Sequence, residues 1–163
     1  MNWLRANAPG FDDLSQAEQD AITDFSLLWG LFECRILSTN ASARAICAAV
    51  GTWHDTGTLQ AEIFEPELVY FRSRYYPNGH FSHHYEGLRL QRPDRSPLVR
   101  SVLDGSDNDP RSVLAVVLII VYRYRNNLFH GVKWEYLLAG QLDNFNHANN
   151  VLMKVLELHG GLH

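Results

Sequence analysis

A continuous apolar run, Val113–Tyr122, most restricts how this chain can fold. Residues of such a run are buried on every side, and their β-branched density suits a core strand as well as a core helix. The flanks favour a helix, because Asp109 and Pro110 are typical of a helix start, Gly131 is typical of a stop, and apolar spacing continues between the run and that glycine. We therefore predict one central helix of roughly twenty residues.

The central helix is not predicted to span a membrane. Its apolar run is about half as long as a bilayer span requires, and Arg111 and Arg123 close it at the two ends. Residues 1–10 lack the apolar stretch that follows a basic start in a signal peptide. We therefore expect a cytoplasmic protein with no membrane partner.

Amphipathic patterns before this run predict further helices. A capping box, Ser15–Glu18, begins a first helix that should end near Leu37. A second helix is predicted over 41–50, with Asn40 as its N-cap and Gly51 as its stop. Both patterns place apolar residues at helical spacing and therefore bury one face.

The rest of the chain continues this pattern. We predict a helix from Glu62 or Pro66 through Tyr76, a turn over 77–79, a short helix from an N-cap at Ser96 to Gly105, a polar loop over 104–109, and a last helix from about Trp134 to His159. Hardly any segment alternates between apolar and polar residues with the period of two that is typical of a β-strand. The sequence thus predicts an all-α single domain over 1–163, a compact bundle of five or six helices whose long central apolar helix ends in an Arg/His motif.

The charge balance excludes a broad surface for long nucleic acids. The 163 residues include 14 Lys and Arg against 18 Asp and Glu, which gives a net charge of -4. A protein that grips a long duplex needs a wide basic face, so any contact with a polyanion is expected to be local. The two cysteines, Cys34 and Cys47, have the spacing of neither a disulfide framework nor a metal site.

The polar segment Arg123–Gly131 ends the predicted central helix. Composition alone favours the interpretation that a core helix reaches solvent here, and that its His complements the helix dipole. The same residue types also suit phosphate chemistry. An imidazole titrates near physiological pH, and a guanidinium offers a fixed fork of donors to phosphate oxygens.

Arg125, Asn126 and His130 match the R-N-x-x-x-H motif, and the chain thereby resembles the HEPN superfamily of all-α domains. The motif also lies where that family has it, late on a long apolar helix. At residue level the resemblance covers 125–131 and, more weakly, Glu33.

The resemblance implies a metal-independent endoribonuclease that needs no cofactor. Family members with an intact motif are commonly homodimers with facing motifs, and many are toxins or phage-defence effectors. It implies that Arg125 stabilises the scissile phosphate, that His130 moves protons during attack by the ribose 2′-hydroxyl, and that Asn126 orients the site. The product would be a 2′,3′-cyclic phosphate, and the partners would be an RNA substrate, a second copy of the chain, and an antitoxin or defence-system protein.

Helical spacing restricts this site. At about 100° per residue, Asn126 and His130 share a face, whereas Arg125 and His130 are roughly 140° apart. Either the helix unwinds before Gly131, or the arginine that meets a given histidine comes from a second copy of the chain. We expect both to contribute.

Glu33 lies on an apolar helical stripe, where a carboxylate is costly unless it is paired. One hypothesis is that it holds Arg125 or His130 in place as part of the catalytic set. The alternative is a salt bridge with Arg35 or another surface arginine.

Several further residues are candidates for substrate contacts. They are Arg123, Asn127, Lys133, Arg72 and Arg74. The two arginines before residue 77 would act with nearby aromatic rings on single-stranded RNA. Trp134, beside Lys133, is better explained as a core residue.

A cluster of three histidines follows the predicted turn. His80, His83 and His84 could chelate a transition metal, but no Cys or second ligand pair supports that reading. A solvated connector is favoured, and no metal is predicted. The alternative to an enzyme is a non-catalytic helical module that binds a nucleotide or RNA, or docks a partner protein.

Overall fold

The central helix is the element around which the others pack. The computed structural model describes residues 2–131 and 138–162. The predicted helix is α7, Pro110–Phe129, and every residue from Val113 to Val121 is buried in it. It is long and apolar enough to cross a membrane, but 78% of its most apolar window is buried inside the protein. This extent of burial is typical of the core helix of a globular domain.

The described residues form eight α-helices and no strand. In chain order they are α1 (Asn2–Asn7), α2 (Gln16–Ile36), α3 (Ala43–Asp55), α4 (Glu65–Tyr75), α5 (His83–Glu86), α6 (Ser96–Leu103), α7 (Pro110–Phe129) and α8 (Leu142–His159). Short 3-10 turns lie at Ala61–Phe64, Pro77–Gly79 and Arg92–Asp94. The all-α prediction is confirmed. Six of the α-helices have at least eight residues, and two shorter ones were not predicted.

Two helix pairs form the frame of the bundle. α2 packs along α8, and α3 packs against α7, which α4 and α6 also contact. The rings of Phe25 on α2 and Phe145 on α8 have centroids 5.2 Å apart. Phe71 on α4 meets Tyr124 on α7 edge to face. These contacts bury the apolar faces that the sequence spacing predicts.

Buried polar contacts fix α4 against α7 and α8. Asn144 Oδ1 accepts hydrogen bonds from Tyr70 at 2.8 Å and from Tyr124 at 3.2 Å. The hydroxyls of Tyr75 and Tyr124 are also hydrogen bonded to each other. Burial raises the pKa of both phenols, so they stay neutral at physiological pH.

α3 begins and ends later than its sequence predicts. Ser42, not Asn40, is the N-cap, and its Oγ accepts from the backbone N–H of Ala45 at 3.1 Å. The helix runs through Gly51 to Asp55. Burial of Trp53, whose ring stacks on His159 with centroids 3.9 Å apart, outweighs the roughly 1 kcal/mol that a glycine costs inside a helix.

α6 and the last helix also differ from their predictions. Ser96 lies inside α6, and Arg95 precedes it in a left-handed conformation. The last helix begins at Leu142 and not near Trp134, because Gly140 has φ of 77° and residues 138–141 are not helical. The other predicted bounds hold closely: α2 spans Gln16–Ile36 with the full capping box, and the predicted loop and turn are non-helical or 3-10.

Candidate functional site

His130 lies exposed at the C-terminal end of α7. Its backbone N–H donates to the carbonyl of Asn126 at 2.9 Å, so the helical hydrogen-bond pattern persists to this residue. His130 itself is the C-cap of α7, with φ of −86° and ψ of 13°, and Gly131 follows with φ of 77°. Helical backbone therefore ends at Phe129, before Gly131. This change does not bring His130 to the side of Arg125, because His130 lines the cleft described below and Arg125 does not.

His130 borders a cleft of about 610 Å³. The cleft lies between the start of α3, the segment after α5 and the end of α7. The polar residues among its described lining are Ser42, Arg44, Arg89, Gln91, Asp94, Tyr122, Arg123, Asn126, Asn127 and His130. The sequence motif thus contributes one wall of a cleft whose other walls come from distant parts of the chain.

Arg123 and Asp94 form an ion pair in the floor of this cleft. Arg123 Nη1 lies 3.1 Å from Asp94 Oδ2, and the two side chains are 8% and 6% exposed. Arg123 Nε also donates to the carbonyl of Leu88 at 3.0 Å. These bonds occupy the guanidinium, so Arg123 holds the cleft wall in place. Its contact with substrate stays a prediction.

Asn127, like Arg123, is bonded to the backbone of the segment after α5. Its Nδ2 donates to the carbonyl of Gly87 at 3.1 Å and to that of Leu88 at 3.4 Å, and the residue is 3% exposed. Asn127 therefore fixes the segment after α5 to α7. It also lines the cleft, so its role in substrate binding stays a prediction.

Arg125 projects to the other side of α7, outside the lining of the cleft. Its Nη1 donates to Asn126 Oδ1 at 3.0 Å, and its Nη2 lies 4.0 Å from Glu33 Oε2. The guanidinium also lies 5.5 Å from the ring of Phe129, which is 55% exposed. Asn126 is the link between the two sides, because it lines the cleft with His130 and accepts from Arg125.

Glu33 is positioned by α2 to meet Arg125. Its Oε2 accepts a hydrogen bond from Trp29 Nε1 at 2.9 Å, one turn earlier on the same helix. Of the two partners proposed from sequence, the structure pairs it with Arg125 and not with Arg35. The carboxylate therefore touches the arginine of the motif and not its histidine.

Arg72 and Arg74 lie away from the motif, on α4. Arg72 donates to the carbonyl of Val102 at 2.8 Å and to Asn108 Oδ1 at 2.8 Å, which ties α4 to the loop before α7. Arg74 Nη2 lies 3.4 Å from His84 Nδ1. The structure does not bring these two arginines to the cleft. Lys133 and Trp134 lie outside the described residues.

The histidine cluster does not form a metal site within the described residues. The rings of His83 and His84 lie 3.9 Å apart, and no group of three or more His, Cys, Asp or Glu is arranged to hold an ion in ranges 2–131 and 138–162. His80 precedes them on an exposed connector. The geometry gives no support to the hypothesis that these histidines chelate a metal ion.

Comparison with known proteins gives no further constraint. No family model, curated protein or solved structure matches this chain significantly.

Sequence reasoning missed Arg44, Arg89 and Gln91 as residues of the site. Arg44 follows the true N-cap of α3, and the other two precede the 3-10 turn that carries Asp94. One signal was present: 89–95 holds three arginines in a chain with a net charge of -4. Its position beside His130 depends on the long-range bonds of Arg123 and Asn127, which no local pattern reveals.

Proposed function

We propose that this chain is a metal-independent endoribonuclease of the HEPN type, acting in the cytoplasm. The observation that supports this most is the placement of an exposed His130 on a cleft lined by arginines, with Asn126 between it and Arg125. An imidazole that solvent can reach is able to exchange protons, and a guanidinium fixed by two neighbours is ready to hold a phosphate.

The proposed reaction is an internal transesterification. The imidazole of His130 takes the proton of the ribose 2′-hydroxyl, the 2′-oxygen attacks the adjacent phosphorus, and the bond from phosphorus to the 5′-oxygen breaks. The leaving 5′-oxygen takes a proton from a second imidazole or from water. Arg125 stabilises the negative charge that grows on the phosphoryl oxygens. The products are a 2′,3′-cyclic phosphate and a 5′-hydroxyl.

A second copy of the chain completes the proposed site. Within one chain, Arg125 lies beside Glu33 and His130 borders the cleft, so one phosphate does not meet both directly. In a two-fold dimer with facing motifs, the arginine of one copy lies opposite the histidine of the other. Because uncontrolled RNA cleavage harms the cell, a toxin or defence role with a neutralising partner belongs to the same proposal.

The test is cleavage in the presence of a metal chelator. We expect purified protein in excess EDTA to cut single-stranded RNA and to leave 2′,3′-cyclic phosphate ends, identified by mass spectrometry. A substrate with one 2′-deoxy residue at the cut position should resist cleavage there, because the internal nucleophile is gone.

Two results would count against the nuclease. Absence of cleavage over a panel of structured and unstructured RNAs contradicts it, as does cutting of the deoxy-substituted linkage. Tight RNA binding without cleavage would instead support the non-catalytic module. The observation that favours this alternative is the position of Arg125 outside the cleft of its own chain.

Glu33→Gln tests the positioning of Arg125. The amide keeps an acceptor for Trp29 Nε1 but loses the charge that faces Arg125 Nη2 at 4.0 Å. We expect kcat to fall about fivefold, as suits a partly exposed ion pair, while KM and the free energy of unfolding change little. Steady-state kinetics and urea denaturation measure these quantities.

Arg35→Gln is the matched control, since Arg35 is an exposed residue on the same helix. Its kinetics should equal those of the wild type. If Glu33→Gln changes neither activity nor stability, Glu33 has no positioning role.

A further inference from the structure

An open groove lies between α2 and α8. Its described lining is Asp24, Leu27, Leu28, Leu31, Asn149 and Met153, and its volume is about 400 Å³. None of these six residues is in the described lining of the cleft at His130, and none belongs to the R-N-x-x-x-H motif. The groove is therefore separate from the proposed catalytic site.

The groove exposes large apolar side chains on both of its helices. Leu27 is 71% exposed, and Leu31 and Met153 are exposed as well. Single leucines on a surface are ordinary, but a contiguous apolar patch with a polar rim is typical of an interaction site. Leu27 and Leu31 are one helical turn apart on α2, and Met153 lines the same groove from α8. The patch thus offers two walls to a row of apolar side chains from a partner.

Asn149 adds an unsatisfied polar group to the lining of the groove. The residue is 7% exposed, and its Nδ2 donates to the carbonyl of Ala21 on α2 at 3.0 Å. Its Oδ1 is buried and accepts no hydrogen bond from any described residue. A buried amide oxygen without a donor is destabilising, so a ligand that brings an N–H group into the groove gains a bond that the free protein lacks.

The surface around the groove is acidic. Asp24 lines the groove, and Asp20 and Glu157 are exposed within one helical turn of its lining residues. Residues 6–34 hold six carboxylates and no Lys or Arg. Lys154, the one Lys or Arg of α8, lies 2.8 Å from a buried carboxylate of α4, which neutralises it locally. The rim is therefore negative and complements a cationic partner.

We infer that this groove docks a basic amphipathic helix of a partner protein, which inserts one row of apolar side chains between α2 and α8 and places Lys or Arg beside Asp20 and Asp24. A helix is about 10–12 Å wide, too wide to enter a groove of about 400 Å³, so it lies along the opening and only its apolar side chains enter. Arg35, one turn past Leu31, ends the acidic stretch of α2.

Two features favour a helix over a small molecule. The exposed leucines of α2 repeat at helical spacing, which matches the row of anchors on an amphipathic helix. The acidic surface also continues one turn beyond the lining of the groove, to Asp20 on α2, farther than a molecule confined to the groove reaches. The inference is independent of the nuclease, because no residue of the proposed catalytic set takes part in it.

The probe is a fluorescein-labelled synthetic peptide of about 18 residues, five helical turns, with Leu along one helical face and Lys on the other. An acidic twin has Glu in place of every Lys, and a scrambled peptide keeps the composition without the apolar face. Fluorescence anisotropy gives Kd for the whole chain and for Leu27→Gln and Asp24→Asn. Val69→Gln and Glu65→Gln are the matched controls, since both residues are exposed on α4 outside the groove.

We expect the Lys peptide to bind in the micromolar range, as suits a small interface. Leu27→Gln should raise Kd about tenfold, because an apolar anchor is lost. Asp24→Asn should raise Kd about threefold, and this difference should vanish at about 0.5 M salt, because a rim charge is screened. The two α4 variants should keep the wild-type Kd, while the acidic twin and the scrambled peptide bind at least about tenfold more weakly.

The methionine methyl groups show where the peptide binds. The chain has two methionines, so an isotope label on these methyl carbons gives two NMR signals, and Met153→Leu identifies the one from the groove. We expect the Met153 signal to shift during titration with the Kd that anisotropy gives. Saturation with peptide while this signal stays in place overturns the inference.

Other occupants give distinct results, each of which contradicts a basic helix. A Met153 shift that follows protein concentration alone, and that Leu27→Gln abolishes, assigns the groove to a second copy of this chain. A shift caused by decylamine, a small apolar cation, without peptide binding up to about 1 mM assigns it to a small molecule. Equal binding of the Lys peptide and its acidic twin, or an unchanged Kd in Leu27→Gln, removes the charge or the apolar basis of the inference.

Discussion

His130→Ala and Arg125→Ala are each expected to lower the rate of RNA cleavage by about 10²–10⁴-fold, the usual contribution of a general acid–base group or of a charge-stabilising donor. His130 is exposed, and its side chain has no described partner that the fold needs. Its replacement should therefore change the free energy of unfolding by no more than about 0.5 kcal/mol. Single-turnover cleavage of a labelled RNA and thermal denaturation measure the two effects.

Mixing the two inactive variants should restore activity. In a dimer with one copy of each, one site has lost both groups, and the other combines the intact Arg125 of one protomer with the intact His130 of its partner. Equal amounts that exchange freely give about half mixed dimers, each with one working site, and hence about a quarter of the wild-type rate. A site built within one chain would give no recovery.

The control for this experiment is His54→Ala, which removes an exposed histidine at the far end of α3 from the cleft. It should cleave RNA like the wild type. Protein that stays monomeric at assay concentration, or a mixture as inactive as its components, contradicts the composite site. Full activity of His130→Ala contradicts the catalytic role of the motif altogether.

The sequence was sufficient for the parts of this fold that depend on local patterns. An unbroken apolar run such as Val113–Val121 can only be buried, and its caps choose helix over strand. The capping box at Ser15 and Glu18 fixes the start of α2 for the same local reason. Regular helical spacing also predicted that Arg125 and His130 diverge, and the structure confirms this divergence.

Local patterns were insufficient where distant contacts decide the structure. α3 continues past Gly51 because Trp53 finds His159 at the other end of the chain. The wall of the cleft has no amphipathic pattern of its own, and bonds from Arg123 and Asn127 across more than thirty residues hold it. Arg123 and Asn127 were therefore predicted to bind substrate, although their side chains are bonded within the protein.

Asp94→Ala is expected to cause the largest loss of stability among changes near the site. Asp94 Oδ2 accepts from the backbone N–H of Gln91 at 2.7 Å and lies 3.1 Å from Arg123 Nη1, and both charged side chains are nearly buried. Removing the carboxylate leaves the charge of Arg123 buried without a counter-charge. Such a change costs about 3–5 kcal/mol and lowers Tm by roughly 10 °C in a protein of this size.

The double variant Asp94→Leu with Arg123→Met separates the charge from the packing. It removes both charges and fills similar volume, so its free energy of unfolding should recover most of the loss, because a well-packed apolar pair replaces a buried ion pair at little cost. Asp13→Ala, at an exposed aspartate, should stay within about 0.5 kcal/mol of the wild type. Urea denaturation followed by circular dichroism gives all three values. Should Asp94→Ala be as stable as Asp13→Ala, the ion pair does not hold the wall, and Arg123 is free to serve as a ligand of the cleft.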